Sequence, residues 1–124
     1  KKLKIDGIII SNTTLDRPNN LHHKDTLNES GGLSGKPLFK KSTEMLAKMY
    51  KLTDGKIPLI GVGGISSGEE AYEKICNGAS LIQLYSALVY DGAGLITDIK
   101  KDLVKTLKQN GFENISQAVG TKVK

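Results

Sequence analysis

Apolar residues fall along this chain in two alternating patterns. Short unbroken runs at 7–11, 57–62 and 81–85 are each followed by a loop or short segment, the first two rich in Gly, Ser, Thr or Asn, and then by apolar residues at spacings of three and four. The runs do not alternate apolar with polar, and the first holds three consecutive Ile. Such runs suit strands buried on both faces, as in parallel sheets. The spaced stretches read as amphipathic helices. Pro37 fits the first turn of one, whose stripe is Leu38, Ser42, Met45, Leu46, Met49 and Tyr50 and whose end is Thr53-Asp54-Gly55. Ser66 with Glu69, and Ser67 with Glu70, match capping boxes opening a second, with Ala71, Tyr72, Ile75 and Cys76 inward and Gly78 as a left-handed stop. A third is expected over 95–110, with Ile96, Ile99, Leu103 and Leu107 inward and the pairs Asp98–Lys101 and Asp102–Lys105 outward. Residues 115–119 read as one or two further helical turns.

Three successive strand–loop–helix units predict an α/β fold of parallel βαβ units. They fit either part of an open sheet or the end of a barrel. The 124 residues are too few for a closed eight-unit barrel, which takes about 250. The chain opens on Lys and enters a strand-like run at once, so it is expected to be part of something longer.

Charge and composition narrow the classes. Eighteen Lys and Arg against 13 Asp and Glu give +5, a mild preference for anionic ligands. The lysines are scattered: Lys1, Lys2 and Lys4 open the chain, Lys100, Lys101, Lys105 and Lys108 share one helix, and Lys122 and Lys124 close it. No basic stripe with interleaved aromatics exists, so no nucleic-acid partner is expected. No apolar run approaches the 18 residues of a membrane span. The single cysteine, Cys76, excludes an internal disulfide framework, and His22-His23 lack the partners a zinc site needs, so no metal is expected.

The sharpest chemical feature is Gly61-Val62-Gly63-Gly64-Ile65-Ser66-Ser67-Gly68. A strand end delivers adjacent glycines directly to a helix start, exposing main-chain N–H groups where the helix dipole favours an anion. A side chain at Gly64 is expected to block approach of a phosphate. The dinucleotide pattern G-x-G-x-x-G fails at Ser66, and an unliganded tight turn is the alternative. Gly31-Gly32-Leu33-Ser34-Gly35-Lys36-Pro37 is not a Walker loop: three residues separate Gly31 from Gly35-Lys36, and Pro37 stands where Ser or Thr is required. Ser11-Asn12-Thr13-Thr14, after the first strand, offers an amide and hydroxyls suited to a heterocycle with carbonyl and N–H groups, or simply turn chemistry. Tyr85-Ser86 would lie beside the glycine turn.

Taken in order, Ile10-Ser11-Asn12-Thr13-Thr14, Arg17-Pro18, Gly31-Gly32-Leu33-Ser34-Gly35-Lys36-Pro37-Leu38, Ile60 to Gly68 and Gly78 to Leu88 closely resemble the carboxyl-terminal part of class 2 (quinone-dependent) dihydroorotate dehydrogenases. The resemblance runs over nearly the whole chain. It implies that residues 1–124 belong to a single FMN-binding domain and form the last three βα units of a (β/α)8 TIM barrel. It implies FMN with its phosphate near Gly63, Gly64, Tyr85 and Ser86, with Ser34 and Gly35 also in contact and Ser11 along the flavin. Asn12 and Thr13 would hydrogen-bond the pyrimidine of dihydroorotate or orotate. The implied reaction, in de novo pyrimidine biosynthesis, oxidises the C5–C6 bond: a serine base takes a proton, the flavin takes a hydride and a quinone reoxidises the flavin.

The same resemblance puts the family's catalytic serine, its flavin-contacting lysine and its amino-terminal helical pair upstream of the matched segment. No catalytic residue is therefore expected here, and the chain alone is expected to be inactive. That helical pair forms the quinone tunnel and the membrane contact, with Tyr85, Leu88 and Val89 as further wall residues. The implied location is peripheral at the mitochondrial inner membrane, or at the cytoplasmic membrane of a bacterium. An unclosed sheet would leave two strand edges bare and lower solubility. Two other readings stand beside this one: a non-catalytic half-barrel binding a phosphate ligand, and another FMN-dependent barrel oxidoreductase.

Overall fold

The computed structural model describes residues 4–18 and 29–123; Lys1, Lys2, His22, His23 and Lys124 lie outside them. Strands β1 (Ile8–Ile10), β2 (Leu59–Val62) and β3 (Ala79–Gln83) form a parallel sheet in that order. Each differs from its apolar run for a local reason. Pro58 has no N–H to give a ladder, so β2 starts after it, while its carbonyl accepts the Ile8 N–H at 3.0 Å. β3 starts two residues before its run, immediately after Gly78, and Leu84 and Tyr85 lie beyond its end. A register shift between Leu59 and Ile60 sets Leu59 against Ala79 but Ile60 against Leu81.

Between the strands run α1 (Phe39–Thr53), entered through a 3-10 turn at Lys36–Leu38, and α2 (Gly68–Cys76); α3 (Ser86–Asp91), α4 (Gly94–Gln109) and α5 (Ile115–Ala118) follow β3. Asp54, in the left-handed region, ends α1. Ser67 caps α2, its Oγ accepting the Glu70 N–H at 3.2 Å. The returning carboxylate of Glu70 takes the N–H and hydroxyl of the preceding Ser66, at 2.6 and 2.9 Å, so this cap spans two serines rather than forming either expected box. At the other end of α2, the N–H groups of Gly120 and Lys122 donate to the carbonyls of Ile75 and Cys76 at 3.1 and 3.0 Å, fastening the last residues to the domain.

Rows across the sheet decide between the two predicted architectures. Ile10, Gly61 and Ile82 are in register, and both helices cover that face: a Cβ at Gly61 would meet Leu46 of α1 at 3.3 Å and Lys74 of α2 at 3.4 Å. The adjacent row, Ile9, Ile60 and Leu81, has no helix over it among the described residues, and Ile9 and Leu81 are 55% and 63% exposed. An open α/β sheet carries helices on both faces, whereas a barrel carries them outside and fills its interior with branched apolar residues. The chain has the barrel arrangement.

Two buried clusters hold the layers together. Ile10, Leu46, Leu59 and Ala79 join α1 to the sheet; Ile65, Ala71, Ile75, Ile99, Leu103, Leu107 and Ala118 join α2, α4 and α5. Met45 and Ile96 were expected inward but are 43% and 44% exposed, at the margins of their stripes. The Asp98–Lys101 pair forms at 3.9 Å. No Asp102–Lys105 pair forms among the described residues; Asp102 instead lies against Gly68, where the missing side chain admits it to the first turn of α2 and its charge suits that helix end.

Candidate functional site

The carboxyl ends of all three strands open onto one cavity of about 580 Å³. Ser11, Asn12, Thr13, Ser34, Gly35, Gly63, Gly64, Tyr85 and Ser86, the nine residues singled out from the sequence, all line it. Its volume lies within the range of small-molecule and cofactor sites, about 300–1,000 Å³.

After β1 the chain turns through Asn12, whose Oδ1 accepts the Thr13 N–H at 2.8 Å. Because that N–H can only donate, the oxygen is the amide atom it meets, and Nδ2 remains as the amide's donor. The loop is pinned from behind. Thr14 and Leu33 form a two-way backbone bridge at 3.1 and 2.7 Å, and the Arg17 guanidinium donates to the carbonyls of Thr14, Glu29 and Gly31 at 3.3, 3.1 and 2.6 Å. Lys41 pairs with Asp16, holding that carboxyl below the usual carboxylate range, and also donates to Thr14 Oγ1 at 3.0 Å. Gly32 then passes so close to Thr13 that a Cβ there would overlap its hydroxyl. Two residues on, Ser34 meets Ser86, and the two hydroxyls hydrogen-bond at 2.9 Å. Segments far apart in sequence thus close the same cavity wall.

The paired glycines after β2 have φ of +107° and +75°. A Cβ at Gly64 would stand 2.6–2.7 Å from the Cβ, Cα and N of Phe39, and one at Gly63 would stand 2.9 Å from Ser42 Oγ. The bareness of this turn is therefore required by α1 packed behind it. The expectation that a side chain at Gly64 would act by blocking a phosphate is corrected: it would strike α1. Gly35 differs, since among the described residues no atom beyond its chain neighbours lies within 4 Å of where its Cβ would be.

Behind the turn sits a residue that periodicity did not single out. Lys74 is fully buried; its Nζ donates to Ser42 Oγ at 2.5 Å and to the Phe39 carbonyl at 3.3 Å, 4.8 Å above the Phe39 ring. Burial pushes its ammonium down to about 8, a fall partly offset by the Glu70 carboxylate. Lys36, Ser66, Tyr90 and Asp91 also line the cavity beside the expected residues. Of the residues expected along a quinone path, Tyr85 lines the cavity, whereas Leu88 and Val89 do not. Among the described residues no cluster of three or more His, Cys, Asp or Glu could hold a metal ion, and no helix is long and apolar enough to cross a membrane.

Comparison with known proteins agrees with this arrangement. A family model described as dihydroorotate dehydrogenase matches residues 1–107. The chain is 57% identical over 118 residues to the mitochondrial dihydroorotate dehydrogenase (quinone) of Arabidopsis thaliana, covering 95% of the chain and 26% of that protein. It is 56% identical over 120 residues to dihydroorotate dehydrogenase (quinone) of Xanthobacter autotrophicus, covering 97% of the chain and 33% of that protein. A crystal structure of ligand-free DHODH from Eimeria tenella superposes with a TM-score of 0.91 at 39% identity, over 96% of the chain and 33% of that structure. The chain thus spans about a quarter to a third of the length of these relatives. The α/β fold seen here is three βα units of an incomplete TIM barrel, and the chain belongs to the dihydroorotate dehydrogenase family, on its class 2, quinone-dependent branch.

Proposed function

We propose that the protein to which this chain belongs oxidises dihydroorotate to orotate, with FMN in the cavity and a quinone as final electron acceptor. The observation that carries the reading is that one cavity joins an amide-and-hydroxyl wall at Ser11, Asn12 and Thr13 to a bare glycine turn and a helix-start serine, Ser86. The first wall suits a pyrimidine; the second suits a phosphate. FMN and dihydroorotate together present those two chemistries.

The residues fit FMN on their own terms. Gly63 and Gly64 line the cavity with bare main chain, Ser34 and Ser86 bring paired hydroxyls, and Gly35 leaves open space where a side chain would otherwise project. Bound there, FMN would supply the two-electron acceptor for the C5–C6 oxidation. The chain's own residues bind and orient: Asn12 and Thr13 hold the pyrimidine, Ser11 lies along the flavin, and Tyr85 and Ser86 close the phosphate end. On this reading another part of the full-length protein supplies the base that removes the substrate proton, and the 124 residues alone are expected to show no turnover. The family names of the relatives support a place in pyrimidine biosynthesis. A peripheral position at the mitochondrial inner membrane, or at a bacterial cytoplasmic membrane, would be reached through a segment outside this chain.

The full-length protein should be yellow as purified, and anaerobic addition of dihydroorotate should bleach its visible absorbance. A flavin spectrum unaltered by excess dihydroorotate would contradict the assigned reaction.

A further inference from the structure

The most unusual group in the domain is the buried ammonium of Lys74. Burying a charge is costly unless it is paired, yet no carboxylate forms an ion pair with it among the described residues; its hydrogen bonds go to neutral oxygens. The arrangement of those oxygens suggests why it is there.

Ser42 has one hydroxyl proton and two acceptors within reach, the carbonyls of Phe39 and Gly63, each at 3.1 Å. A carbonyl oxygen has two lone pairs. The Phe39 carbonyl already receives the helical Thr43 N–H, Thr43 Oγ1 at 2.7 Å and Lys74 Nζ at 3.3 Å, more donors than it has lone pairs. Lys74 also donates into Ser42 Oγ itself, which fixes that hydroxyl as a donor elsewhere. The Ser42 proton is thereby directed to the Gly63 carbonyl. That carbonyl shares a planar trans peptide with the Gly64 N–H, so anchoring one toward α1 points the other the opposite way, to the cavity that Gly64 lines. Without Lys74 one donor leaves the crowded Phe39 carbonyl, and the Ser42 hydroxyl competes better for it, three residues earlier, as helical serines readily do.

We propose that Lys74 is a positioning residue for the phosphate subsite: through Ser42 it locks the Gly63–Gly64 peptide with its N–H facing the cavity, and its charge adds to the positive potential there. The inference rests on the FMN reading above and deepens it.

The test uses full-length apoprotein and two flavins. FMN and riboflavin differ only by the phosphate, so the ratio of their dissociation constants, read from quenching of flavin fluorescence, isolates that subsite. Lys74→Met keeps the stem and removes the donors. It is expected to lower the FMN-over-riboflavin preference about tenfold, the scale of one charge-assisted hydrogen bond, while riboflavin affinity stays within about twofold. Ser42→Ala, which breaks the relay but leaves the cation, should lower the preference in the same direction by a smaller factor, and it decides the matter where Lys74→Met does not fold. General loosening of the fold would weaken both flavins alike and leave the ratio untouched. A folded Lys74→Met protein, or failing that Ser42→Ala, with the wild-type ratio overturns the proposal. A wild-type protein that does not prefer FMN over riboflavin overturns the phosphate reading itself, which keeps the two failures distinct.

Discussion

Full-length protein carrying Gly64→Val is expected to be recovered colourless and largely unfolded. Gly64 has φ of +75°, and an ideal Cβ there would stand 2.6–2.7 Å from the Cβ, Cα and N of Phe39. A left-handed conformation costs an L-residue about 1–2 kcal/mol, and forcing extra atoms into a packed site about 1–3 kcal/mol more. Valine is worse than alanine in both respects because it branches at the clashing atom. Phe39 is poorly placed to retreat, since its carbonyl is held by Thr43 and Lys74 and its backbone opens α1. Against a usual total of about 5–15 kcal/mol, the loss removes much of the stability of any domain that contains the turn. Visible absorbance and a circular-dichroism melt are the readouts. A yellow protein melting at the wild-type temperature would show that α1 does not press on this turn as described.

Leu46→Ala is expected to destabilise the full-length protein by about 2–5 kcal/mol, the range for emptying a fully buried leucine site. Leu46 is completely buried in the cluster with Ile10, Leu59 and Ala79, and it fills the space that Gly61 leaves open. Its neighbours are strand residues fixed in register, so the cavity has little means of collapsing. Leu46→Met, which nearly conserves volume, should cost less than about 1.5 kcal/mol. Denaturant titration separates the two; equal, small effects would mean that α1 is not seated on the sheet through this residue.

The elements were legible wherever one local rule acted alone. Three adjacent Ile announced a buried strand, and Ser42, Leu46, Met49 and Tyr50 traced the inward side of α1. Ser67 and Glu70 announced the start of α2. What escaped depended on partners distant in sequence. Asp102 reads as a solvent-facing helix residue until α2 brings Gly68 against it. Lys74 looks like any outward lysine until Phe39 and Ser42 supply its acceptors and Gly61 leaves room beside its stem. Arg17 stood out in the sequence only through resemblance; its bonds to four loop carbonyls give the mechanical reason, because they hold the walls bearing Thr13 and Ser34 together. The choice of barrel over open sheet was likewise out of reach of periodicity, since it turns on which sheet face the helices take.

Crystallography of the intact protein grown with FMN and orotate tests the central claim most directly. Phosphate oxygens are expected within about 3 Å of the Gly64 N–H and the Ser86 hydroxyl, with the pyrimidine against Asn12 and Thr13. Flavin density in some other part of the molecule, with these groups turned away from it, would rule out a flavin phosphate at this turn.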